Sequence, residues 1–355
     1  MRFVHIADMH FDMPFTLLSS RAGMGEERRI DQRKVFKKMI DYIKENNIPF
    51  LFISGDLYEH EYIRESTIQY INNLFEEIPD TRIFISPGNH DPYLKNSYYS
   101  KYNWTENVTI FEPEIKKIEF DDADIYGFGF DDFYCYNSGI QEFQIENKEK
   151  LNILVMHASL EGSLKDERNY NVISEKTFKE KGFDYIALGH IHKRNMENNI
   201  VYPGSMVSLG FDELGKHGMV VGNIEKNHLD LQFIELDEKE FVEEEVDVTD
   251  LNSVEGLVEK INNLKIEDSK LYKIILIGKR TFEIDVYQLY KLIENKNIIK
   301  IKNNTKIKYE LKEIANDVTL KGIFAKEMLN KLEESSDEDK EIIEKAIEIG
   351  MEILS

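Results

Sequence analysis

Five short apolar runs in the first 225 residues each end at a polar cluster of Asp, Asn or His. Runs of four or five aliphatic and aromatic residues are typical of strands buried on both faces, and the segments between several of them have the apolar spacing of amphipathic helices. This alternation predicts a layered α/β domain. The runs, each with the cluster that ends it, are Phe3–Ala7 with Asp8-Met9-His10, Phe50–Ser54 with Gly55-Asp56, Ile83–Pro87 with Gly88-Asn89-His90, Ile153–Met156 with His157, and Tyr185–Leu188 with Gly189-His190-Ile191-His192.

The polar clusters supply two Asp, one Asn and five His, and no Cys. Residues just past the carboxyl ends of strands gather at one edge of an α/β domain, so we expect these side chains to lie together. Imidazole mixed with carboxylate and amide oxygen suits transition metals of intermediate hardness. If one carboxylate bridges two ions, Asp8, His10 and a further His can complete one coordination sphere, and Asn89 with two His the other. Two ions ~3.5–4 Å apart can polarise a phosphoryl group and activate water, so the pattern predicts phosphoester hydrolysis.

Other polar residues near these motifs have structural interpretations. His5, His217 and His228 have no partner at motif spacing, and we expect them to be packing or surface histidines. Asp91 directly follows His90 and either orients an imidazole or begins a helix.

The charge of the chain limits how it could hold nucleic acid. A net charge of −22 argues against binding by bulk electrostatics alone. Two stretches are locally basic. Residues 21–44 hold eight basic and four acidic side chains, and residues 291–312 hold seven basic and two acidic side chains. Each stretch is either a solvated face or a surface turned toward a phosphate substrate.

Cysteine content and hydropathy indicate the compartment. The single cysteine, Cys135, excludes an internal disulfide and a cysteine-rich zinc site, and it fits a reducing cytoplasm. No apolar run approaches the ~18 to 20 residues of a membrane span, and residues 1–7 lack the apolar core of a signal peptide. We therefore expect a cytoplasmic protein without a membrane segment.

The composition of the sequence changes near residue 241, where Glu-rich and Lys-rich segments begin. The pattern there predicts a small α+β domain followed by two helices, and it divides the chain into residues 1–240, 241–312 and 313–355. The apolar strip of the last helix indicates core packing, with a partner surface as the alternative; it comprises Ile342, Ile343, Ala346, Ile347, Ile349 and Ile353. The predicted elements are helices Val254–Leu264, Val286–Ile293, Leu320–Glu333 and Glu338–Leu354, and strands Leu271–Ile277 and Ile298–Lys302.

The five polar clusters resemble the motif blocks of the calcineurin-like metallophosphoesterases. Within that superfamily, Ala7–Asp12, Gly55–Tyr58 and Tyr202–Ser205 are most similar to the SbcD-type DNA repair nucleases. Asp8–Phe15 and Thr319–Phe324 resemble its YhaO-like branch. The resemblance implies a four-layer α/β/β/α sandwich, with two mixed β-sheets flanked by helices, that holds two divalent ions, Mn²⁺ in this family.

The resemblance also implies a role for each cluster residue. Asp56 would bridge the ions, and His90 would contact the scissile phosphate and stabilise or protonate the leaving oxygen, which in general contributes ~10² to 10⁴ in rate. Some relatives have a second phosphate-contacting histidine where this chain has Glu59. We expect His60, one position later, to be a surface histidine, with substitution for that histidine after a small loop shift as the alternative. The implied ligands are Asp8, His10 and His192 for the first ion, and Asn89, His157 and His190 for the second.

By the same resemblance, residues 241–312 form a capping domain that helps select DNA, and residues 313–355 bind the coiled-coil base of an SMC-like ATPase, SbcC in bacteria. A homodimer is also expected. The function expected is DNA hydrolysis, by exonuclease or endonuclease action, as the nuclease subunit of an SbcCD-like repair complex. A small-molecule or nucleotide phosphodiesterase or phosphatase with the same site is the alternative, and the region after residue 241 favours DNA. A binding scaffold without catalytic activity would be expected to have lost metal-ligating residues. In this chain every expected ligand position holds a residue that can bind a metal.

Overall fold

The computed structural model describes residues 1–161 and 170–354. The chain divides into two compact units, Met1–Phe241 and Val242–Ser355. Within the described residues, no helix is both long enough and apolar enough to cross a membrane. The three-part division with its assigned roles stays a prediction.

Two β-sheets form the centre of the first unit. The strands of one sheet are β1 (Arg2–Ile6), β2 (Phe50–Ile53), β3 (Arg82–Ile85), β4 (Val108–Ile110), β12 (Gly218–Glu225) and β13 (His228–Glu235), in the order β13-β12-β1-β2-β3-β4. Those of the other are β5 (Lys116–Glu119), β6 (Ala123–Phe128), β7 (Leu151–His157), β10 (Tyr185–Gly189) and β11 (Ile200–Val201), in the order β11-β10-β7-β6-β5. The short strands β8 (Ser159–Leu160) and β9 (Val172–Ile173) pair separately.

The strands that precede the polar clusters run parallel within each sheet and end together. Ile53 of β2 lies opposite both Ile6 of β1 and Ile85 of β3, and in the second sheet Gly189 lies opposite His157. Every residue of β7 is buried, which explains the continuous apolar run Ile153–Met156 within it. This register brings the residues that follow the strands to a common edge of each sheet.

The two sheets pack face to face. Phe3, Phe52 and Phe84 of the first sheet share a buried core with Ile153 and Val155 of the second. The rings of Phe3 and Phe52 lie 5.3 Å apart between centroids. Truncating one such buried ring to alanine typically costs about 3–5 kcal/mol, so this interface supports the edge at which the polar residues meet.

Helices cover the outer faces of the sandwich. The helices of the first unit are α1 (Met24–Asn46), α2 (Glu65–Glu76), α3 (Tyr98–Lys101) and α4 (Glu175–Lys181), with one 3₁₀ turn at Thr16–Leu18. Phe36 of α1 and Phe75 of α2 meet at 6.0 Å between ring centroids. Leu154 alternates with the inward residues of β7 and packs in a second core with Phe178 of α4. The predicted α/β/β/α sandwich is confirmed.

The second unit combines a small sheet with helices. Its strands are β14 (Glu240–Asp247), β15 (Lys270–Ile277) and β17 (Ile298–Asn303), in the order β14-β15-β17, and the pair β16 (Lys279–Arg280) and β18 (Lys306–Ile307). Its helices are α5 (Val254–Asn262), α6 (Val286–Leu292), α7 (Leu311–Ile314), α8 (Leu320–Glu334) and α9 (Asp337–Ile353). Leu257 of α5 and Leu289 of α6 pack against Ile274 and Ile298 of the sheet, as predicted for an α+β arrangement.

The apolar strip of α9 is divided between two environments. Ile347 and Met351 are buried against α8. Ile342, Ile349 and Ile353 are 69%, 52% and 78% exposed. The prediction of core packing therefore holds for Ile347 and is wrong for these three isoleucines, because the strip is wider than the face that α8 covers.

Candidate metal centre

The residues predicted for the site meet at the edge where the strands end. Asp8 and Asp56 are almost completely buried, whereas His90 has 44% of its side chain exposed. Three groups of side chains have ligand atoms that all lie within 4.8 Å of one another: Asp8 with His10 and His192, His10 with Asp56 and His90, and Asp56 with His157 and His190.

The first group has the spacing of ligands around one cation. Nε2 of His10 lies 3.2 Å from Nε2 of His192, which lies 3.8 Å from Oδ1 of Asp8. Two nitrogens that bind one ion at about 2.1 Å lie about 3 to 3.5 Å apart, so the two imidazoles fit a shared ion.

The group that contains His157 and His190 is arranged around the side-chain oxygen of Asn89. Nε2 of His157 lies 3.0 Å and Nδ1 of His190 lies 3.1 Å from that oxygen. Oδ2 of Asp56 lies 3.3 Å from Nε2 of His157 and 3.8 Å from Nε2 of His10. One carboxylate oxygen thus faces both groups, which is the position expected of a bridging ligand.

Hydrogen bonds to Nδ1 orient three of the imidazoles. Nδ1 of His157 lies 2.8 Å from the Ser54 carbonyl oxygen. Nδ1 of His10 lies 2.7 Å from Glu59, and Nδ1 of His192 lies 3.2 Å from Glu213. Since each Nδ1 donates to an oxygen, the lone pair of each Nε2 points into the cluster, as metal coordination requires. The tautomers and the mixed N/O donor set therefore fit a pair of divalent ions.

Burial and neighbouring charges shift the pKa values of the cluster residues in opposite directions. Burial lowers the pKa of His157, but the Asp56 carboxylate outweighs it and raises the pKa to about 9. Burial likewise lowers the pKa of His192, and Glu213 raises it to about 9. Burial raises the pKa of Asp56, yet the charge of His157 holds it well below its usual value. A cation that binds here competes with protons, so its affinity increases with pH.

Strained backbone conformations concentrate at the same place. Asp8, His10 and Asp56 have φ values of 52°, 49° and 52°, and His190 has a φ of 96°. Residues other than glycine rarely adopt such angles, and each costs on the order of 1–3 kcal/mol that the surrounding structure must offset. Strain of this kind is common where side chains are aimed at a functional site.

Asp91 organises the backbone below the cluster. Its carboxylate accepts hydrogen bonds from the N–H groups of Asp56, Leu57 and Gly88 at 3.0, 2.6 and 2.6 Å, and from the hydroxyl of Tyr99 at 2.6 Å. Neither of the interpretations made from the sequence accounts for these bonds, because α3 begins only at Tyr98. Burial, with the Asp56 charge, raises the pKa of Asp91 to about 6.

His90 lies between the cluster and an open cavity. Its backbone N–H donates to Asp56 at 2.8 Å, and its Nδ1 lies 2.9 Å from Glu59. Burial lowers the pKa of His90, but the carboxylates of Asp56 and Glu59 raise it to about 10. A cavity of about 450 Å³ is lined by His90, Asn89 and several aromatic rings. With Nδ1 held by Glu59, Nε2 is the nitrogen available to a ligand in that cavity.

Two carboxylates of the site were missed in the sequence. Glu59 contacts both His10 and His90, and its side chain is 14% exposed. Glu213 contacts His192 and accepts hydrogen bonds from the hydroxyl of Ser205 and, at 2.8 Å, from the N–H of Leu209. Glu59 stood out only as a departure from a histidine, and Glu213 belongs to none of the five motifs.

The remaining histidines differ in their surroundings. His5 is completely buried between Tyr185 and Ser54, at 2.9 and 3.0 Å, as expected of a packing histidine. Nε2 of the buried His217 lies 2.9 Å from the Glu213 carbonyl, and His228 is exposed on β13. His60 was expected at the surface, but it is half-buried and lines the cavity beside His90.

The sequence of the chain is similar to those of several named proteins. YhaO of Bacillus subtilis, an uncharacterized metallophosphoesterase, is 25% identical over 278 residues, 74% of this chain and 66% of that protein. The SbcD component of the nuclease SbcCD of Staphylococcus epidermidis is 26% identical over 303 residues, 71% of this chain and 77% of the relative. The DNA double-strand break repair protein Mre11 of Methanopyrus kandleri is 24% identical over 244 residues, 61% of this chain and 52% of the relative.

The chain therefore spans between about half and three quarters of the length of these relatives. Residues 1–194 match the family model described as calcineurin-like phosphoesterase, and this range contains every predicted site residue from Asp8 to His192. The family uses a dinuclear metal site, in agreement with the cluster of His and Asp described above. The match covers more than half of the chain, which belongs to the calcineurin-like phosphoesterase family.

Proposed function

We propose that this protein is a dinuclear metal-dependent phosphodiesterase that hydrolyses DNA. The observation that carries the proposal is the position of Asp56, whose Oδ2 faces His10 at 3.8 Å and His157 at 3.3 Å. A single carboxylate oxygen placed between two sets of donors is the geometry that a pair of bridged ions needs. The nuclease relatives, at 24–26% identity, support DNA as the substrate.

Seven residues would hold the two ions. When bound, divalent ions at this position polarise a phosphoryl oxygen and lower the pKa of a coordinated water. We propose Mn²⁺ because the resemblance to the SbcD-type nucleases implies it, and a donor set of four imidazoles and three oxygen ligands without a thiolate is compatible with that ion. The proposed ligands are Asp8, His10 and His192 for one ion, Asn89, His157 and His190 for the other, and Asp56 for both.

His90 is proposed as the residue that acts on the substrate itself. Glu59 holds Nδ1 of His90, and Asp56 holds its backbone N–H, so the ring is fixed while it borders the cavity. From there Nε2–H can donate to the scissile phosphate and to the departing oxygen. We expect loss of this group to lower the rate by about 10²–10⁴-fold.

We extend the proposal to the assembly. Residues 241–312 would select DNA, residues 313–355 would bind an SbcC-like ATPase in the cytoplasm, and two copies of the chain would form a dimer. The exposed Ile342, Ile349 and Ile353 of α9 support a partner surface, since they form an uncovered apolar face.

The test is hydrolysis of an end-labelled duplex and of bis(p-nitrophenyl) phosphate at low salt with Mn²⁺, comparing the wild type with His90→Gln. We expect both substrates to be cleaved, and the variant to bind Mn²⁺ but to lose turnover. Cleavage of the small ester alone would replace DNA with a small-molecule or nucleotide substrate. No turnover of either substrate with Mn²⁺, Fe²⁺ or Zn²⁺ would contradict the proposal.

A further inference from the structure

A cavity of about 580 Å³ in the first unit is lined by three arginines. Arg29 and Arg33 lie on α1, and Arg64 directly precedes α2. The guanidinium of Arg33 is partly engaged, because Nη2 donates to the Thr67 hydroxyl at 2.9 Å and lies 3.9 Å from Asp12. In the part of the chain that the structure describes, neither Arg29 nor Arg64 has an ion-pair partner. Two cationic groups are thus available to an anion from outside.

The acidic residues of this cavity do not neutralise the arginines. Oδ2 of Asp12 accepts hydrogen bonds from the backbone N–H of Arg64 at 3.0 Å and from the hydroxyl of Thr67 at 2.7 Å, and the side chain is 10% exposed. Glu26, in the first turn of α1, is the other acidic residue of the lining. Three guanidinium groups against two carboxylates leave a local positive charge on a chain whose net charge is −22.

A short stretch of chain connects the arginine cavity to the candidate metal centre. Glu59 contacts His90 and lines the cavity beside it, and five residues later Arg64 lines the arginine cavity. Five residues span at most about 18 Å, so the two cavities lie within a few nucleotides of each other along a strand. Tyr62 lies between these positions in sequence and is 51% exposed, and Ile30 on α1 is 49% exposed. They offer apolar surface for sugars and bases beside the charges.

We propose that Arg29, Arg33 and Arg64 bind the phosphodiester backbone of the DNA strand whose scissile phosphate lies at the metal centre. The inference rests on the proposed function and locates the local positive charge that an acidic nuclease needs. Guanidinium groups match phosphate oxygens in geometry and keep their charge at every physiological pH. The aromatic and aliphatic neighbours favour a nucleic-acid strand over an isolated phosphate ion.

The test compares two double variants with the same change of charge, each in a His90→Gln background with Mn²⁺ so that the probe is not cut. R29Q/R64Q removes the two available arginines. R2Q/R82Q is the control. Arg2 and Arg82 are the first residues of β1 and β3, so they lie at the ends of these strands that are away from the candidate metal centre. Binding of a fluorescein-labelled single-stranded oligonucleotide is followed by anisotropy from low to moderate salt. Each lost phosphate contact on single-stranded DNA reduces the slope of log K against log salt by about 0.7.

We expect R29Q/R64Q to weaken binding and to reduce that slope by about 1.4, while R2Q/R82Q leaves it unchanged. An unchanged slope in R29Q/R64Q, or equal changes in both double variants, would overturn the inference. Tighter binding of polyglutamate than of the oligonucleotide at equal charge, lost in R29Q/R64Q, would also overturn it, in favour of an acidic protein partner. Turnover of duplex DNA and of bis(p-nitrophenyl) phosphate by the chain with His90 intact tests the proposed function separately, so either claim can fail alone.

Discussion

Oε2 of Glu59 lies 2.9 Å from Nδ1 of His90, the residue proposed to act on the substrate. The other oxygen of the same carboxylate lies 2.7 Å from Nδ1 of His10, a proposed metal ligand. One side chain therefore orients a ligand and the proposed proton donor together. Carboxylate partners of metal-binding histidines fix the tautomer and raise the basicity of the ring.

Glu59→Gln should impair both the metal centre and His90. A glutamine offers only one oxygen, so it can accept from one of the two imidazoles and turns an amide N–H₂ toward the other. We expect Mn²⁺ affinity to fall by about 10–100-fold, and turnover at saturating Mn²⁺ to fall as well. Calorimetric titration with Mn²⁺ and hydrolysis of bis(p-nitrophenyl) phosphate measure the two effects. Glu106→Gln is the control and should change neither, because Glu106 is exposed and its neighbour Asn107 bonds to Ile83 near the start of β3, the end away from the cluster.

Gly88→Ala should disturb the cluster by steric crowding, without changing any ligand. A Cβ at this position would lie 2.9 Å from Cγ of His157 and still closer to Oδ1 of Asp56, below normal contact distances. The imidazole or the carboxylate must move, so we expect at least a tenfold loss of Mn²⁺ affinity. Gly25→Ala on α1 is the control, because its Cβ would meet its neighbours no closer than 3.6 Å. Equal Mn²⁺ affinities for the two variants would show that the packing around His157 is not needed.

His5 should make the first unit sensitive to acid. Burial lowers the pKa of His5 to about 3, whereas in the unfolded chain it titrates near 6.5. Between these values the unfolded chain binds a proton that the folded chain does not, so the stability contributed by neutral His5 is present above about pH 6.5 and falls as the pH drops. The loss approaches about 1.4 kcal/mol per pH unit well inside this window.

Urea unfolding at pH 7.5 and 5.5 in EDTA measures this effect, with the single tryptophan, Trp104, as a reporter in the same unit. His5→Gln removes the titrating group, so its stability should depend less on pH than that of the wild type. His228→Gln changes an exposed histidine and should keep the wild-type dependence. If His5→Gln and the wild type lost the same free energy of unfolding between pH 7.5 and 5.5, His5 would not be the source of the acid sensitivity.

The strand-end motifs predicted the site because local sequence and sheet geometry agree there. A parallel strand ends in a fixed direction, so Asp8, Asp56 and Asn89 had to reach one edge once the strands were recognised. Glu59 and Glu213 were not predictable in this way, because each lies in a loop whose path depends on tertiary contacts. The role of Asp91 was missed for the same reason, since its partners are backbone N–H groups that every sequence possesses.

The last helix of the second unit shows a different limit of prediction from sequence. Spacing of apolar residues predicted α9, but periodicity does not tell how much of an apolar face a neighbour will cover. Ile347 meets α8, whereas Ile342 and Ile349 lie beyond its width and stay exposed. The sequence therefore predicts the existence of such a helix better than its burial.

The most direct test of the central claim is a crystal structure of the protein grown with Mn²⁺, with anomalous scattering used to locate the ions. We expect two peaks ~3.5–4 Å apart on either side of Asp56, one among Asp8, His10 and His192 and the other among Asn89, His157 and His190. A single peak in this cluster, or ions bound only elsewhere, would contradict the dinuclear centre on which the proposed hydrolysis depends.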